Sequence, residues 1–297
     1  MKKQFALFCA FLAAALYALN APVSKLLLGS VEPSMMAALL YLGAGLGMLL
    51  MGTVRRAAGR PRSEQRLTRR DLPYTIGMIV LDIAAPILLM TGIDLTTPEN
   101  ASLLNNFEIV ATSLIALLVF RERISRRLWL AIGLIVIASV LLTLESAAHL
   151  SFSLGSLLVL LASCCWGLEN NCTRMLSQSD PQQIVIVKGI GSGTGALITA
   201  LIAGEAFPAL HYVPAALALG FVAYGLSIYF YVYAQRFLGA ARTSACYAVA
   251  PFIGVLLSLV IFRTIPGKEF FAALAIMIIA AILIARDEQA AETQSGS

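Results

Sequence analysis

Three acidic residues of this chain stand away from its polar loops: Asp82, Glu108 and Glu169, each inside a long apolar run. A carboxylate at membrane depth is rare unless it lines a cavity, meets a partner or titrates. Glu108 belongs to the stretch Thr96 to Arg123, TTPENASLLNNFEIVATSLIALLVFRER. At helical spacing Asn105, Glu108 and Thr112 fall there on one face, which cannot comfortably look at lipid. In a low-dielectric cavity Glu108 or Asp82 could meet a substrate amine or trade a proton. Asn20, Asn105, Asn106, Asn170 and Asn171 offer amide donors and acceptors suited to the amino and carboxyl groups of a zwitterion, or to hydroxyls. Tyr224, Ser227 and Tyr231 share a helical face, Trp166 lies one turn before Glu169, and aromatic walls with polar tips suit an amphipathic ligand or a cation. The candidate substrate-binding set is therefore Asn20, Asp82, Asn105, Glu108, Trp166, Glu169, Tyr224, Tyr231 and Tyr247, with Glu108 and Asp82 as proton-coupling candidates. Each has a plainer reading beside it. An Asn can serve an interhelical hydrogen bond, and a Tyr such as Tyr233 can belong to the interfacial belt. Asp82 or Glu108 can pair with Lys188, the only cation well inside an apolar run, as a tie between the two halves.

The elements that must position these residues are membrane spans. The chain has 297 residues, 59% hydrophobic and 12% charged, with a mean hydropathy of +0.86, outside the range of ordinary soluble domains. Ten spans can be drawn, near 4–28, 33–54, 72–92, 98–120, 127–145, 154–176, 181–204, 214–237, 241–262 and 267–286, each close to the roughly twenty residues that a crossing needs. A net charge of +5 could suggest nucleic acid. The basic residues instead sit in short clusters between apolar runs, as membrane proteins mark their cytoplasmic loops, and nucleic acid is set aside on that distribution. With both ends inside, the cytoplasmic segments collect all of the 21 Lys and Arg except Lys25, Arg263, Lys268 and Lys188, so the positive-inside rule sets the orientation. The basic-tipped start is read as a retained first helix rather than a cleaved signal. The tail 287–297, DEQAAETQSGS, is polar and expected to be disordered.

The second half repeats the first. Glu32-Pro33 answers Asp180-Pro181, and Gly43, Gly45 and Gly47 answer Gly191, Gly193 and Gly195 at the same offset. Tyr17 to Lys25 answers Trp166 to Arg174, and Ser102 through Arg121 answers Ser244 through Arg263. The units are 1–148 and 149–286. Five spans is an odd number, so the second copy enters the membrane from the opposite side, giving an inverted repeat with substrate between the halves near the midplane. By the same alignment Asp82 answers Tyr224, Glu108 answers Ala250, Asn105 answers Tyr247 and Glu169 answers Asn20. The scaffold keeps the symmetry and the polar interior breaks it, as a site for an asymmetric small molecule would, or as drift after duplication would. The expected cavity is lined by the first, third, fourth, sixth, eighth and ninth spans, with Pro86 and Pro251 as hinge candidates inside spans.

Several chemistries are set aside. The Gly-x-Gly-x-Gly strings follow no strand, so they read as helix-packing positions rather than a phosphate cradle. The five cysteines lie within or at the ends of apolar runs without metal or disulfide spacing. His149 and His211 fall in outside loops, leaving no metal cluster, no Ser-His-Asp set and no Walker loop. No metal, no cofactor and no catalytic residue is expected. The strongest enzymatic alternative is an intramembrane transferase acting on lipid or isoprenoid, which would need carboxylates grouped at a membrane face, and three scattered acids do not supply that. A non-transporting membrane sensor is the other alternative.

These residues resemble the EamA-type transporters of the drug/metabolite transporter superfamily, built as two inverted five-helix units. The likeness covers nearly the whole chain. It rests on the aromatic-Gly/Ala-x-polar runs ending in a base, Tyr17 to Lys25 and Trp166 to Arg174, and on the small-polar start of each unit's fourth helix, closing in Phe-x-Glu-Arg at Phe120, Glu122 and Arg123. Family members typically carry a proline in that helix and a glutamate after it. Here the proline is kept as Pro251 with Glu108 in the first unit, and the glutamate as Glu122 with Thr264 in the second. That departure marks Glu108 as this protein's own substrate or ion position, and Glu122 as a structural ion-pairing residue among arginines. The resemblance implies an all-helical, ten-span transporter of small metabolites in a bacterial-type inner membrane. It implies alternating access without ATP, often export of amino acids or related compounds. Proton coupling is open on the depth of Glu108 and Asp82, and the sequence leaves the oligomeric state unknown, a monomer being compatible with it.

Overall fold

Pro22 has no N–H to give, so the carbonyl of Ala18 loses its helical partner and the first helix breaks one residue on. The computed structural model describes residues 2–59, 65–120, 125–146, 151–176, 179–238, 247, 249–263 and 267–295. The first apolar run is two helices, α1 (Lys2–Ala18) and α2 (Asn20–Leu28), turning at Leu19. Lys25 near the end of α2 donates from Nζ to the carbonyls of Ile93 and Asp94, 2.7 and 2.6 Å away, satisfying the last turn of a neighbouring helix.

The chain continues through α3 (Pro33–Ala57), a 3-10 turn (Arg69–Asp71), α4 (Leu72–Leu95), α5 (Pro98–Leu104), α6 (Phe107–Phe120) and α7 (Arg126–Thr143). A short antiparallel ribbon of β1 (Leu144–Ser146) and β2 (Ser151–Phe152) joins the halves. The second half is α8 (Leu154–Leu176), α9 (Pro181–Ile202), α10 (Tyr212–Gly220), a π turn (Phe221–Leu226), α11 (Ser227–Leu238), α12 (Ala250–Phe262) and α13 (Lys268–Ser295). Among the described residues five helical stretches are long and apolar enough to cross a membrane: Gln4–Leu28, Pro33–Ala57, Arg69–Leu95, Pro181–Ile202 and Tyr212–Ala234. Shorter apolar helices, Trp129–Leu141 and Ala250–Phe262, join them. Large apolar side chains point outward along these helices, among them Leu50, Val54, Ile202 and Val260, a surface suited to lipid. The molecule is a multi-pass helical membrane protein.

Four expectations are corrected. The spans drawn at 4–28 and 98–120 are each broken, the second at Asn105–Asn106 between α5 and α6. The span 214–237 carries a π turn in its middle, which adds a residue and re-aims Tyr224. Pro251 opens α12 instead of interrupting it, at a position where its missing N–H costs nothing. Pro86 does lie inside a helix, and α4 runs on through it. Beyond Arg286, α13 continues to Ser295 through the tail expected to be disordered; Ala, Glu and Gln there are strong helix formers. His149, Glu122, Arg123, Ser244, Cys246 and Thr264 lie outside the described residues.

Two antiparallel pairs form the frame. Along α3 and α9, a Cβ added at Gly45 would meet the backbone of Gly189 and Ile190, and one at Gly193 would meet Leu42. On the other side of α3, Gly43 lies against the backbone of Leu217 and Gly220 against that of Leu40. Such backbone-to-backbone approach needs small residues, since apolar surface alone does not drive helices together in lipid. Along α4 and α8, Gly92 and Gly155 do the same. The glycine strings are packing positions. Gly189→Val should therefore lower stability by about 1–3 kcal/mol, read as an earlier thermal aggregation midpoint in detergent. Gly133→Ala, where nothing lies within 4 Å of the new Cβ, should leave it unchanged; equal midpoints for both variants would refute the close crossing.

Candidate functional site

Lys188 follows Val187 and precedes Gly189 on α9, so the close crossing with α3 carries its side chain into the interior. Its Nζ lies 3.1 Å from Asp82 Oδ2 of α4 and 3.0 Å from Glu169 Oε1 of α8. All three residues are buried, at 6%, 0% and 2% exposure, so the attraction acts in a medium that screens it little. Asp82 Oδ1 accepts from Tyr41 Oη at 2.9 Å and from Trp166 Nε1 at 3.2 Å. Oδ2 is left to the ammonium, as a charge-assisted contact. The Thr173 hydroxyl donates to Glu169 Oε1 one turn along α8. The acids expected to be scattered are thus grouped: Asp82 and Glu169 share one cation.

Across the pseudo-two-fold axis lies the equivalent cluster without charge. Asn20, the mate of Glu169, donates from Nδ2 to the hydroxyl of Tyr224, the mate of Asp82, over 3.0 Å. Ser24 donates to Asn20 Oδ1 at 3.1 Å. Tyr17, the mate of Trp166, sets its ring 5.9 Å from Tyr224 and 5.7 Å from Tyr247. Tyr231 stands edge-on to Tyr247 at 4.9 Å, and the Tyr247 hydroxyl shares a hydrogen bond with Ser227 Oγ at 3.3 Å. Tyr41 joins the two clusters, its hydroxyl on Asp82 and its ring 5.0 Å from Tyr224.

Glu108 stands beside the ion cluster, within electrostatic reach of Glu169 and Lys188. It opens α6 at the break, where a helix N-terminus favours an acid. Its carboxylate accepts from Asn170 Nδ2 on α8, which also reaches Thr112 at 3.4 Å. It lies within electrostatic reach of Tyr17, Tyr224 and Tyr247, and it keeps partial exposure where Asp82 and Glu169 have none to speak of. Asn105 caps α5 at the same break, and its Oδ1 is buried with no hydrogen-bond partner. Asn106 turns to Met277 Sδ instead, at 3.6 Å. Of the nine sequence candidates, then, Asp82, Trp166 and Glu169 form one cluster and Asn20, Tyr224, Tyr231 and Tyr247 the other, with Glu108 and Asn105 at the α5–α6 break.

The candidate set omits Tyr17, Tyr41 and Lys188. Tyr17 was within reach of the repeat alignment, because its mate Trp166 is a candidate. Lys188 carried a signal as the only cation deep in a span, and the structure places it between two acids where a single partner was the expectation. Tyr41 carried none, since its importance comes from the crossing of α3 with α9. Tyr233 packs on Phe5 and Phe237, away from the clusters, and Tyr229 takes a hydrogen bond from Arg55 at 3.2 Å.

The EamA-like transporter family matches residues 4–144 and again residues 153–286, one match for each half. A curated relative from Methanothermobacter thermautotrophicus, described as an uncharacterized transporter, is 29% identical over 268 residues, covering 83% of this chain and 76% of its own. A solved crystal structure of a protein 19% identical to this chain superposes with a TM-score of 0.69 over 94% of both chains, which shows a shared fold.

Removing one member of a buried ion cluster strands the others. Lys188→Met should leave two carboxylates facing each other and cost about 3–5 kcal/mol, seen as a large drop in midpoint on denaturant titration of the protein in detergent. An unchanged midpoint would mean that the ammonium does not bind both acids.

Proposed function

The chain belongs to the EamA-like transporter family, and from that premise we propose that it is a secondary active transporter. In this reading it exports small metabolites, amino acids or related amines, across the inner membrane by alternating access, in exchange for protons. Ten crossings as two inverted five-helix repeats, with both termini in the cytoplasm, belong to the same reading; the two matched halves and the distribution of Lys and Arg support it. The single observation that carries the substrate class is the surroundings of Glu108: a half-buried acid within electrostatic reach of Tyr17, Tyr224 and Tyr247. An ammonium group gains there a charge-assisted hydrogen bond and the negative faces of aromatic rings. The unpartnered Asn105 Oδ1 gives a second acceptor beside it. Asn20 and the tyrosine hydroxyls offer donors for the substrate's carboxyl end.

The broken helices suit such a site, since irregular backbone at membrane depth is tolerated where it lines a cavity. The turn at Leu19, the break at Asn105–Asn106 and the π turn at Phe221–Leu226 are the places where a swing of one helix end needs little else to move.

Counterflow of labelled amino acids and small amines into proteoliposomes tests the reading, wild type beside Glu108→Gln. Flux of at least one compound is expected, falling about tenfold or more in the variant, the loss of one charged hydrogen bond of about 1.5–3 kcal/mol. No flux across a broad panel would overturn the transport reading. Full flux with an unchanged pH profile in Glu108→Gln would remove Glu108 from the site.

A further inference from the structure

The ion cluster at Lys188 does not balance. Two carboxylates, Asp82 and Glu169, share a single ammonium, which leaves one negative charge in excess among residues all but sealed from solvent. The other titratable groups that face the cluster are Tyr17 from α1, Tyr41 from α3, Cys172 from α8, Glu108 from α6 and Tyr224 from the π turn. Among the described residues none of these supplies positive charge. An unpaired charge at this depth is costly, and a group in such a place takes up a proton in preference to staying ionised alone.

We propose that the Asp82–Lys188–Glu169 cluster is a one-proton site, and that its proton is the one traded for substrate. The inference rests on the transport reading for its second half and on geometry alone for its first. Proton uptake forms one O–H bond on a carboxylate oxygen of the pair and takes the cluster from a net charge of −1 to zero; release returns that proton to water on the other side. Lys188 stays charged throughout. The donors are arranged for this. Tyr41 and Trp166 hold Asp82 Oδ1, and Thr173 holds Glu169 Oε1. Asp82 Oδ2 faces the Lys188 ammonium at 3.1 Å.

The symmetry says what the proton would do. The α4–α8 seam and the seam of α1 and α2 with the π turn and α11 are the two equivalent contacts of an inverted repeat, and alternating access exchanges their roles. One seam is joined by the neutral Asn20–Tyr224 hydrogen bond. The other holds the ion cluster, and the position equivalent to Lys188 is Leu40. With one proton bound the two seams match in net charge, so they can trade places. Without it, parting α4 from α8 strands a charge in the membrane.

The test reads the proton directly. Infrared spectroscopy of the full-length protein in lipid nanodiscs, in water and in heavy water, reports the carbonyl stretch of a protonated buried carboxyl. At neutral pH wild type is expected to show one such band from the cluster. Asp82→Asn and Glu169→Gln should each abolish it, because either leaves Lys188 with a single carboxylate and no excess charge. Glu108→Gln should keep it. Each substitution is isosteric and sufficient by itself, and monodispersity on gel filtration shows that the variant is folded. A band absent from wild type, kept in both cluster variants, or lost only in Glu108→Gln overturns the proposal. In proteoliposomes with a trapped pH dye, both cluster variants should lose the proton movement that accompanies substrate flux in wild type; proton movement per substrate equal to wild type would overturn the coupling role. A band without any flux would sink the transport reading and leave the proton site standing, while flux without the band would do the reverse.

Discussion

Lys188 is where the interior of this protein is decided. A lone ammonium in hydrocarbon is untenable, so the helix that carries it has to be met by acids, and the helices that carry the acids are thereby fixed in depth and rotation. Asp82 brings α4 and Glu169 brings α8 to the same point. Tyr41, drawn to Asp82 from α3, closes the set. Four helices from both halves of the chain are tied by one cation, and the aromatic cluster across the axis leans on Tyr41 in turn. Replacing such a set by apolar side chains of equal volume is often neutral for stability alone, so its presence argues for a role beyond holding the fold.

The two halves have diverged where it matters. A gene-duplicated scaffold presents every interior position twice, and here one copy reads Trp166, Glu169, Asp82 and the other Tyr17, Asn20, Tyr224. The first triplet is charged and fully committed to protein partners. The second is neutral and aromatic, within electrostatic reach of Glu108. Tyr41 touches both, its hydroxyl on Asp82 and its ring against Tyr224, so on the transport reading proposed above an ion site and a substrate site would be separated by a single side chain.

Much of this was legible beforehand, and the reasons are physical. Hydropathy and the placement of arginines gave the membrane character, because a bilayer leaves a chain few options. The repeat was visible in Glu32-Pro33 against Asp180-Pro181 and in the glycine strings. The depth of Asp82, Glu108 and Glu169 marked them, because polar residues there are expensive. What could not be read was which of them would meet. Helical spacing relates residues on one helix only, and the meeting of Asp82 with Glu169 depends on how α4, α8 and α9 cross. The helix breaks at Leu19 and Asn105–Asn106 were hidden for another reason: an apolar run of the right length reads as one span whether or not it turns within the membrane. Pro22 was the available signal for the first. No comparable residue announces the second, where two consecutive amides stand in for a proline.

The loops beyond the membrane bear on the same design. Glu205, just past α9, accepts from the backbone N–H groups of Ser34 and Met35 at the start of α3, at 3.2 and 2.8 Å. At the far end Gln183, in the first turn of α9, accepts from Leu67 N at 3.1 Å, and Asp180 N donates to the carbonyl of Gln65 at 2.8 Å. Gln182 adds a bond to the Met48 carbonyl at 2.7 Å. The glycine-packed pair is therefore pinned at both rims, each pin joining one half of the chain to the other, and neither helix can slide along its partner without breaking a cap. α3 and α9 behave as an axle set in two bearings. In the alternating-access reading proposed above, the rocking parts would turn about them, with the broken helices as levers and Lys188, mounted on the axle itself, as the fixed charge past which the acids would be carried.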